Sequence, residues 1–553
     1  MKLLKYLFLF IIFHTTLANG QGRLFPAAND TLTFSDVLFE FPYDSRFNNY
    51  VIEVEDLSKN KGHFRYETKA NKVRVSTLLY NTDYRWRFSP INDANKPIVW
   101  SDFIPFRVRI PNNINPDHYS YDGAWRSRED KRVSILLMDY GMCGVNRAGK
   151  VLYYIPEIEG VLSAGQMRDL KLTNNGTFTA LIDSSAYEFD LLGRVLFKAP
   201  DNGDVNGESS EYYHHEFTKL PNGNYLVLGN DHVTVQAPDQ SSMEIEFATV
   251  IEYDSRGRVV WSWNSKDYFS QADLFYPRGA KRGGSVSLHA NACTTNGKYV
   301  FVGFRDISRI ITIDKKSKKV VASYGGKGVF NEPHSATGFF RRQHDATLLS
   351  DGNLAVVNND SVMDPDVVSS LVVFSPIKKR KDVSEKIMDF KFNFDTLTDG
   401  KSVKTGNLQE LSNGNIFVNM GSLNRCIELT RTGDVIYSMF MTYYDTNHRM
   451  TLPFPQYRVR TYSSLYQFEY TAKISSINQN KEFRNYTLSL FNVGSEDDTY
   501  FVRMYDESKK ILAEEKIMIP AGKSDFKTFE TDKNTSVYFE IANTTQKILK
   551  ISN

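Results

Sequence analysis

The chain has 553 residues, with 67 Lys and Arg against 65 Asp and Glu, a formal charge of +2. That balance excludes the basic excess needed to read a phosphate backbone, so no nucleic-acid partner is expected. Its 41% hydrophobic and 13% aromatic content describes folded protein, and the three scattered cysteines, Cys143, Cys293 and Cys426, allow at most one bridge.

At the start, Lys2 and Lys5 precede an apolar run from Tyr6 to Phe13, and Ala18, Asn19 and Gly20 follow. This predicts a signal peptide over 1–20 and an exported protein, because the run is far shorter than the roughly 20 apolar residues that span a bilayer. No later segment is long enough to span. Asn-x-Ser/Thr sequons stand at Asn29, Asn175, Asn359, Asn485, Asn534 and Asn543, with Asn359 expected to be the least accessible.

Alternating apolar and polar segments separated by Gly, Asn, Asp and Pro turns predict an all-β fold. Residues 23–120 carry short strands with Tyr84, Trp86 and Trp100 and predict an N-terminal β-sandwich. Residues 467–553 predict a C-terminal accessory β-sandwich, within which Asp506 to Lys516 reads equally as helix or strand.

Between them lies a repeat. His215 to Gly223, His289 to Gly297 and His344 to Gly352 each place a glycine eight residues after a histidine. Arg168 to Gly176 and Gly406 to Gly414 repeat that spacing without the histidine. With an incomplete unit from Met138 to Tyr154, five such turns predict a six-bladed β-propeller over 130–466, closed by a strand within Gln456 to Tyr466.

The first strand of each blade lines the channel, so His215, His289 and His344 should converge at one height. Antiparallel return of the next strand sets Arg305 beside His289, with Asp231 and Asp360 at the matching places in flanking copies. Strict alternation turns His214 away from His215 and gives it a structural role, although a one-residue change of register would exchange the two. Tyr212, Phe304, Phe339 and Phe340 flank the site in sequence and are candidates for an aromatic wall, or for blade packing.

The histidine repeats, the segment Gly303 to Asp314 and the closing Pro453 to Tyr462 resemble the arylsulfate sulfotransferases over about 130–466. The resemblance implies transfer of a sulfuryl group from an aryl sulfate ester to a phenolic acceptor without an adenylyl-sulfate donor, with no cofactor and no metal. Carried over, His344 is the nucleophile that forms a sulfohistidine, while Arg305, His289 and His215 bind sulfate oxygens and assist proton transfer. Two rival readings stand beside it. Three imidazoles could hold a zinc ion for hydrolysis, against which Arg305 argues, or the channel could bind an anionic ligand without turnover.

Overall fold

The computed structural model describes residues 23–552 except 43, 45, 48, 59–61, 70, 126–134, 162–166, 175, 237–241, 270–280, 283–284, 327–333, 360–367, 378–381, 394–399, 467–469, 478–482, 493–496, 533–534 and 544–547. The expected signal peptide, Asn175, Asp360 and Asn534 lie outside the described residues. Among those described, the regular elements are β-strands and short 3-10 turns, and no helix is long and apolar enough to cross a membrane. All three cysteines are buried free thiols.

The chain divides into two compact units. One comprises Met1–Ile114, Leu152–Tyr154 and Ser463–Asn553, and the other Asn115–Val151 and Ile155–Tyr462. Residues 115–120, expected in the N-terminal sandwich, fall in the second unit, because Tyr119–Trp125 pairs along Val435–Asp445 there.

In the first unit, a five-stranded sheet holds Thr82–Pro90 between Ile104–Val108 and Tyr50–Asp56, and a two-stranded sheet pairs Val37–Glu40 with Lys72–Val75. Phe39 of the small sheet packs 5.1 Å from Trp86 and 5.6 Å from Phe106 of the large one. Towards the C-terminus, three-stranded and four-stranded sheets enclose Leu488, Leu490, Val502, Met504, Phe539 and Ile541. The ambiguous stretch is strand: Asp498–Asp506 pairs antiparallel with Ile511–Ile519.

Among the described residues the second unit holds six sheets, antiparallel except where Ser285–Ser287 pairs parallel with Ser242–Tyr253 and His334–Ser335 with Val320–Gly325. In chain order their first strands are Ile135–Met138, Met167–Leu172, Tyr213–Lys219, Ala290–Thr295, His344–Leu348 and Asn407–Glu410. Val459–Tyr462 pairs antiparallel with Ile135–Met138 and completes the first of them from the far end of the unit. Strands such as Phe178–Ile182, Ser370–Phe374 and Arg425–Leu429 are buried at every position, because each sheet has a neighbour on both faces. Leu228, Val250 and Trp263 of the third sheet share a core with Val300, Val302 and Ile311 of the fourth. Phe301 and Ile310 of the fourth meet Val356 and Val372 of the fifth, and Val357 and Leu371 of the fifth meet Ile416 and Val418 of the sixth.

From Met167–Leu172 to Asn407–Glu410 each first strand lies against the next, and Val459–Tyr462 of the first sheet lies against both Asn407–Glu410 and Met167–Leu172, so the six sheets neighbour one another in a cycle. The repeated turns explain the even spacing. Gly176, Gly223, Gly297, Gly352 and Gly414 have φ between 75° and 86°, and a Cβ there would meet no atom within 4 Å. Glycine is therefore required by backbone conformation, not by space.

One side chain reaches most of this cycle. The Arg458 side chain, 2% exposed, places Nη2 2.9 Å from Glu216, Nη1 3.2 Å from Asp345 and Nε 3.3 Å from Asp169. It also donates to the carbonyls of His215 and Asn291 at 3.2 Å, while its backbone N–H donates to Asp139. Burial pushes the Glu216 carboxyl up, but Arg458 and Lys171 outweigh it and hold the group at about 2. Replacing Arg458 by Met should leave Glu216, Asp169 and Asp345 as buried anions short of a cation and cost about 3–5 kcal/mol in urea unfolding of this unit. Arg458→Lys should recover part of that loss, and a change below about 1 kcal/mol for Arg458→Met would show that the network is not needed.

Candidate active site

The inner strands carry a shared irregularity at the repeat position. Pairing slips between Arg168 and Lys171, Tyr213 and Phe217, Ala290 and Ala292, and His344 and Thr347. Asp169, His215, His289 and Asp345 have φ of 56°, 62°, 56° and 54°. A non-glycine residue in this region stores about 1–3 kcal/mol of strain and persists only where its surroundings impose it. Here Arg458 grips the carbonyl of His215. Such bulges re-aim side chains, and this corrects the expected orientation of His214. Instead of facing away, its Nδ1 lies 2.6 Å from Nδ1 of His215, with the ring planes at 86°.

The three repeat histidines come together. The rings of His215 and His289 are 4.8 Å apart at 82°, and Tyr457 lies 5.8 Å from His215. The Arg305 backbone N–H donates to the His289 carbonyl at 2.9 Å, placing the arginine beside that histidine just past the end of Tyr299–Phe304. Asp306 approaches Nε of Arg305 at 3.7 Å and Nη2 of Arg342 at 3.6 Å.

His344 is held at both ring nitrogens. Its Nδ1 lies 2.8 Å from Oδ1 of Asn359, whose Nδ2 donates to the carbonyls of Ser402 at 2.9 Å and Thr405 at 3.2 Å. With the amide donating in that direction, its oxygen must accept, so His344 carries its proton on Nδ1 and keeps a lone pair on Nε2. That lone pair accepts the Thr405 N–H at 3.2 Å. Burial, reinforced by Arg305 and Arg458 and opposed by the Asn359 bond, takes the His344 imidazole down to about 3. Burial and then His214, His289 and His344 push His215 well below the ordinary histidine range. His344 and His215 are therefore neutral imidazoles at neutral pH, so a charged proton donor has to be made when an anion arrives.

Other expectations resolve differently. Asp231 faces Lys266 at 2.6 Å and the Asn264 amide. Tyr212 is exposed, Phe304 packs 4.8 Å from Phe269, and Phe339 and Phe340 pack on Phe374. The last three serve blade packing, so the aromatic lining beside His215 is Tyr457, itself 6.3 Å from Tyr140. Among the described residues, no three His, Cys, Asp or Glu side chains are grouped to hold a metal ion.

Four neighbours escaped the sequence reading. Asn359 was visible only as a sequon, while Thr405 and Tyr457 carry no signal of their own. Arg168 was visible as the repeat copy without histidine. Its guanidinium lies 6.0 Å from the Tyr457 ring centre, and its charge adds to those that lower His215 and His214.

The arylsulfotransferase family model matches residues 137–474 and so takes in every residue of this cluster. The chain belongs to the arylsulfotransferase family. No curated protein matches the chain. Among solved structures, this arylsulfotransferase is similar to a protein of unknown function from Bacteroides caccae, with 14% identity, 55% of this chain and 93% of that chain covered, and a TM-score of 0.37. It is also similar to Hsv2 of Kluyvelomyces marxianus, with 10% identity, 70% and 93% covered, and a TM-score of 0.27.

A buried neutral histidine makes a pH prediction. The folded value of His344 lies at about 3, below the ordinary 6.5, so the unfolded chain binds the extra proton first. Its stabilising contribution is complete above about pH 6.5 and is lost as pH falls towards 3. In His344→Gln, urea midpoints measured at successive pH values across that window should fall less steeply than in the parent. Equal slopes would contradict the burial of a neutral ring.

Proposed function

We propose that the second unit is a six-bladed propeller and that the exported protein moves a sulfuryl group from an aryl sulfate ester to a phenol by double displacement on His344. The observation that carries this reading is the tautomer of His344: Asn359 holds the Nδ1 proton, and Nε2 offers a lone pair beside Arg305 and within the field of His215. The cycle of six sheets supports the propeller. Family membership supports sulfuryl transfer, with small aryl sulfates and phenols as the substrate class.

In the first half of the reaction, the Nε2 lone pair attacks sulfur, and the ester S–O bond breaks with its electrons leaving on the aryl oxygen. The Thr405 N–H gives way to sulfur. Arg305, planar and permanently charged, binds the equatorial oxygens, whose charge is shared among them as the bond to the leaving oxygen stretches. One proton, held by the His215 and His289 pair once the anionic ester is bound, passes to the leaving oxygen. In the second half, the acceptor phenol gives its proton back and its oxygen attacks sulfur, while the N–S electrons return to Nε2. Neutral imidazole suits this role, because protonated His344 would have no lone pair to offer.

Initial rates with donor and acceptor both varied should give parallel double-reciprocal lines, and intersecting lines would indicate direct transfer in a ternary complex. Intact-protein mass after brief mixing with 4-nitrophenyl sulfate and no acceptor should rise by one sulfuryl group in the parent and in His289→Asn, but not in His344→Asn. A gain that survives in His344→Asn and vanishes in His289→Asn would move the nucleophile to His289.

Arg305→Lys keeps the charge but loses the fork that spans two oxygens. Its kcat should fall by roughly 10² or more, since one preorganised donor is worth about 2.7–4 kcal/mol in comparable sites. A change confined to KM would restrict the arginine to donor binding.

A further inference from the structure

His215 is poorly placed to hold a proton. It is half-buried, and burial together with His214, His289, His344 and Arg168 opposes a positive charge on it. Yet the double displacement needs a group that lends a proton to the first aryl oxygen and recovers one from the second. The geometry supplies a partner. Nδ1 of His214 and Nδ1 of His215 are 2.6 Å apart, so one ring must donate to the other, and only one proton lies between them. Burial, with Arg168, pushes His214 below the ordinary histidine range, and the field of Glu246 offsets that shift in part. Glu246 stands half-buried on Ser242–Tyr253, a strand of the same sheet as His214, and so reaches towards solvent.

We propose that His214 is a positioning residue that acts through His215, completing a proton relay from the reacting oxygen through His215 to His214, where the field of Glu246 offsets part of the positive charge. The proposal rests on the sulfuryl-transfer reading of the site. With His215 carrying its proton on Nδ1, Nε2 is free to face the aryl oxygen. As the acceptor phenol attacks, its O–H proton passes to Nε2 of His215, and the Nδ1 proton of His215 passes to Nδ1 of His214. The positive charge then sits on His214, facing Glu246 and one ring further from Arg305. In the donor half-reaction the same two transfers run backwards: protonated His214 returns a proton to His215, and Nε2 of His215 protonates the aryl oxygen as the S–O electrons arrive on it. The proton lent in one half is recovered in the other, and the relay ends each cycle as it began.

The test compares two donors in one protein preparation, so that any loss of folded protein cancels in the ratio. 4-Nitrophenyl sulfate releases a stable anion that needs no proton, whereas phenyl sulfate releases a basic one that does. Gln at 214 can still hydrogen-bond to His215 but cannot pass a proton on. For His214→Gln, kcat/KM should fall by roughly 10² with phenyl sulfate and by less than about threefold with the nitrophenyl ester. Glu246→Gln, at a half-exposed position with little bearing on folding, should shift the same ratio in the same direction by a smaller factor of about 3–10. Equal losses with both donors, or no loss with either, overturn the relay while leaving sulfuryl transfer standing. Parent enzyme that turns over neither donor overturns the sulfuryl-transfer reading, and the relay with it.

Discussion

The buried Arg458 guanidinium is the constraint on which the rest of the second unit depends. Six sheets that neighbour one another in a cycle must agree on one register where their first strands meet, and nothing in the packing of adjacent sheets alone guarantees it. A flat fork of five donors can bind several strands at once, and Arg458 binds carboxylates and carbonyls from the second, third, fourth and fifth sheets. Burying that cation would be prohibitive without Asp169, Glu216 and Asp345, and burying them would be equally so without it. Each of these acids sits beside or at a bulge, so the charges and the strained backbone hold each other in place.

The same arrangement sets the electrostatics of the histidines. The acids satisfy Arg458, which leaves the side facing His344 and His215 with imidazoles, Arg305 and Arg168 but little negative charge of its own. Such a site is incomplete until an anion enters. Neutral imidazoles are the form that this surplus of positive charge permits, and a bound sulfate ester is what would allow one of them to take a proton. On the proposed reading, nucleophile and proton donor are the same residue type, told apart by environment: His344 is fixed by an amide, while His215 meets a second ring.

The turns were legible because each demands a left-handed backbone that glycine alone adopts freely, and the Asn-Gly pairs repeat that demand at a fixed distance from the histidines. Arg305 was legible for the same reason, since an antiparallel return from a known turn fixes which residues stand side by side. His214 was not. Alternation holds only while the ladder is regular, and the bulge between Tyr213 and Phe217 breaks it at the residue that mattered. For Phe304, Phe339 and Phe340 the choice between aromatic wall and blade packing stayed open, because closeness in sequence says nothing about which face a side chain takes. Asn359 and Arg168 were in plain view but valued for other traits, one as a sequon and the other as a missing histidine. The stretch from Asp506 to Lys516 stayed ambiguous because its polar turn sits between apolar residues that satisfy either period, and only pairing across Ile511–Ile519 decides it.

Asn359 also bears on where this protein can be made. The residue begins an Asn-Asp-Ser sequon, yet in the folded chain it is wholly enclosed, with its amide nitrogen donating to Ser402 and Thr405 and its oxygen accepting from His344. A sugar attached to that nitrogen would remove its donors and could not be enclosed, so glycosylation and the folded arrangement around His344 exclude each other. An expression host that decorates sequons would spoil a fraction of each preparation set by the race between the glycosylating enzyme and closure of the fifth sheet. A bacterial host without that machinery would yield uniform material.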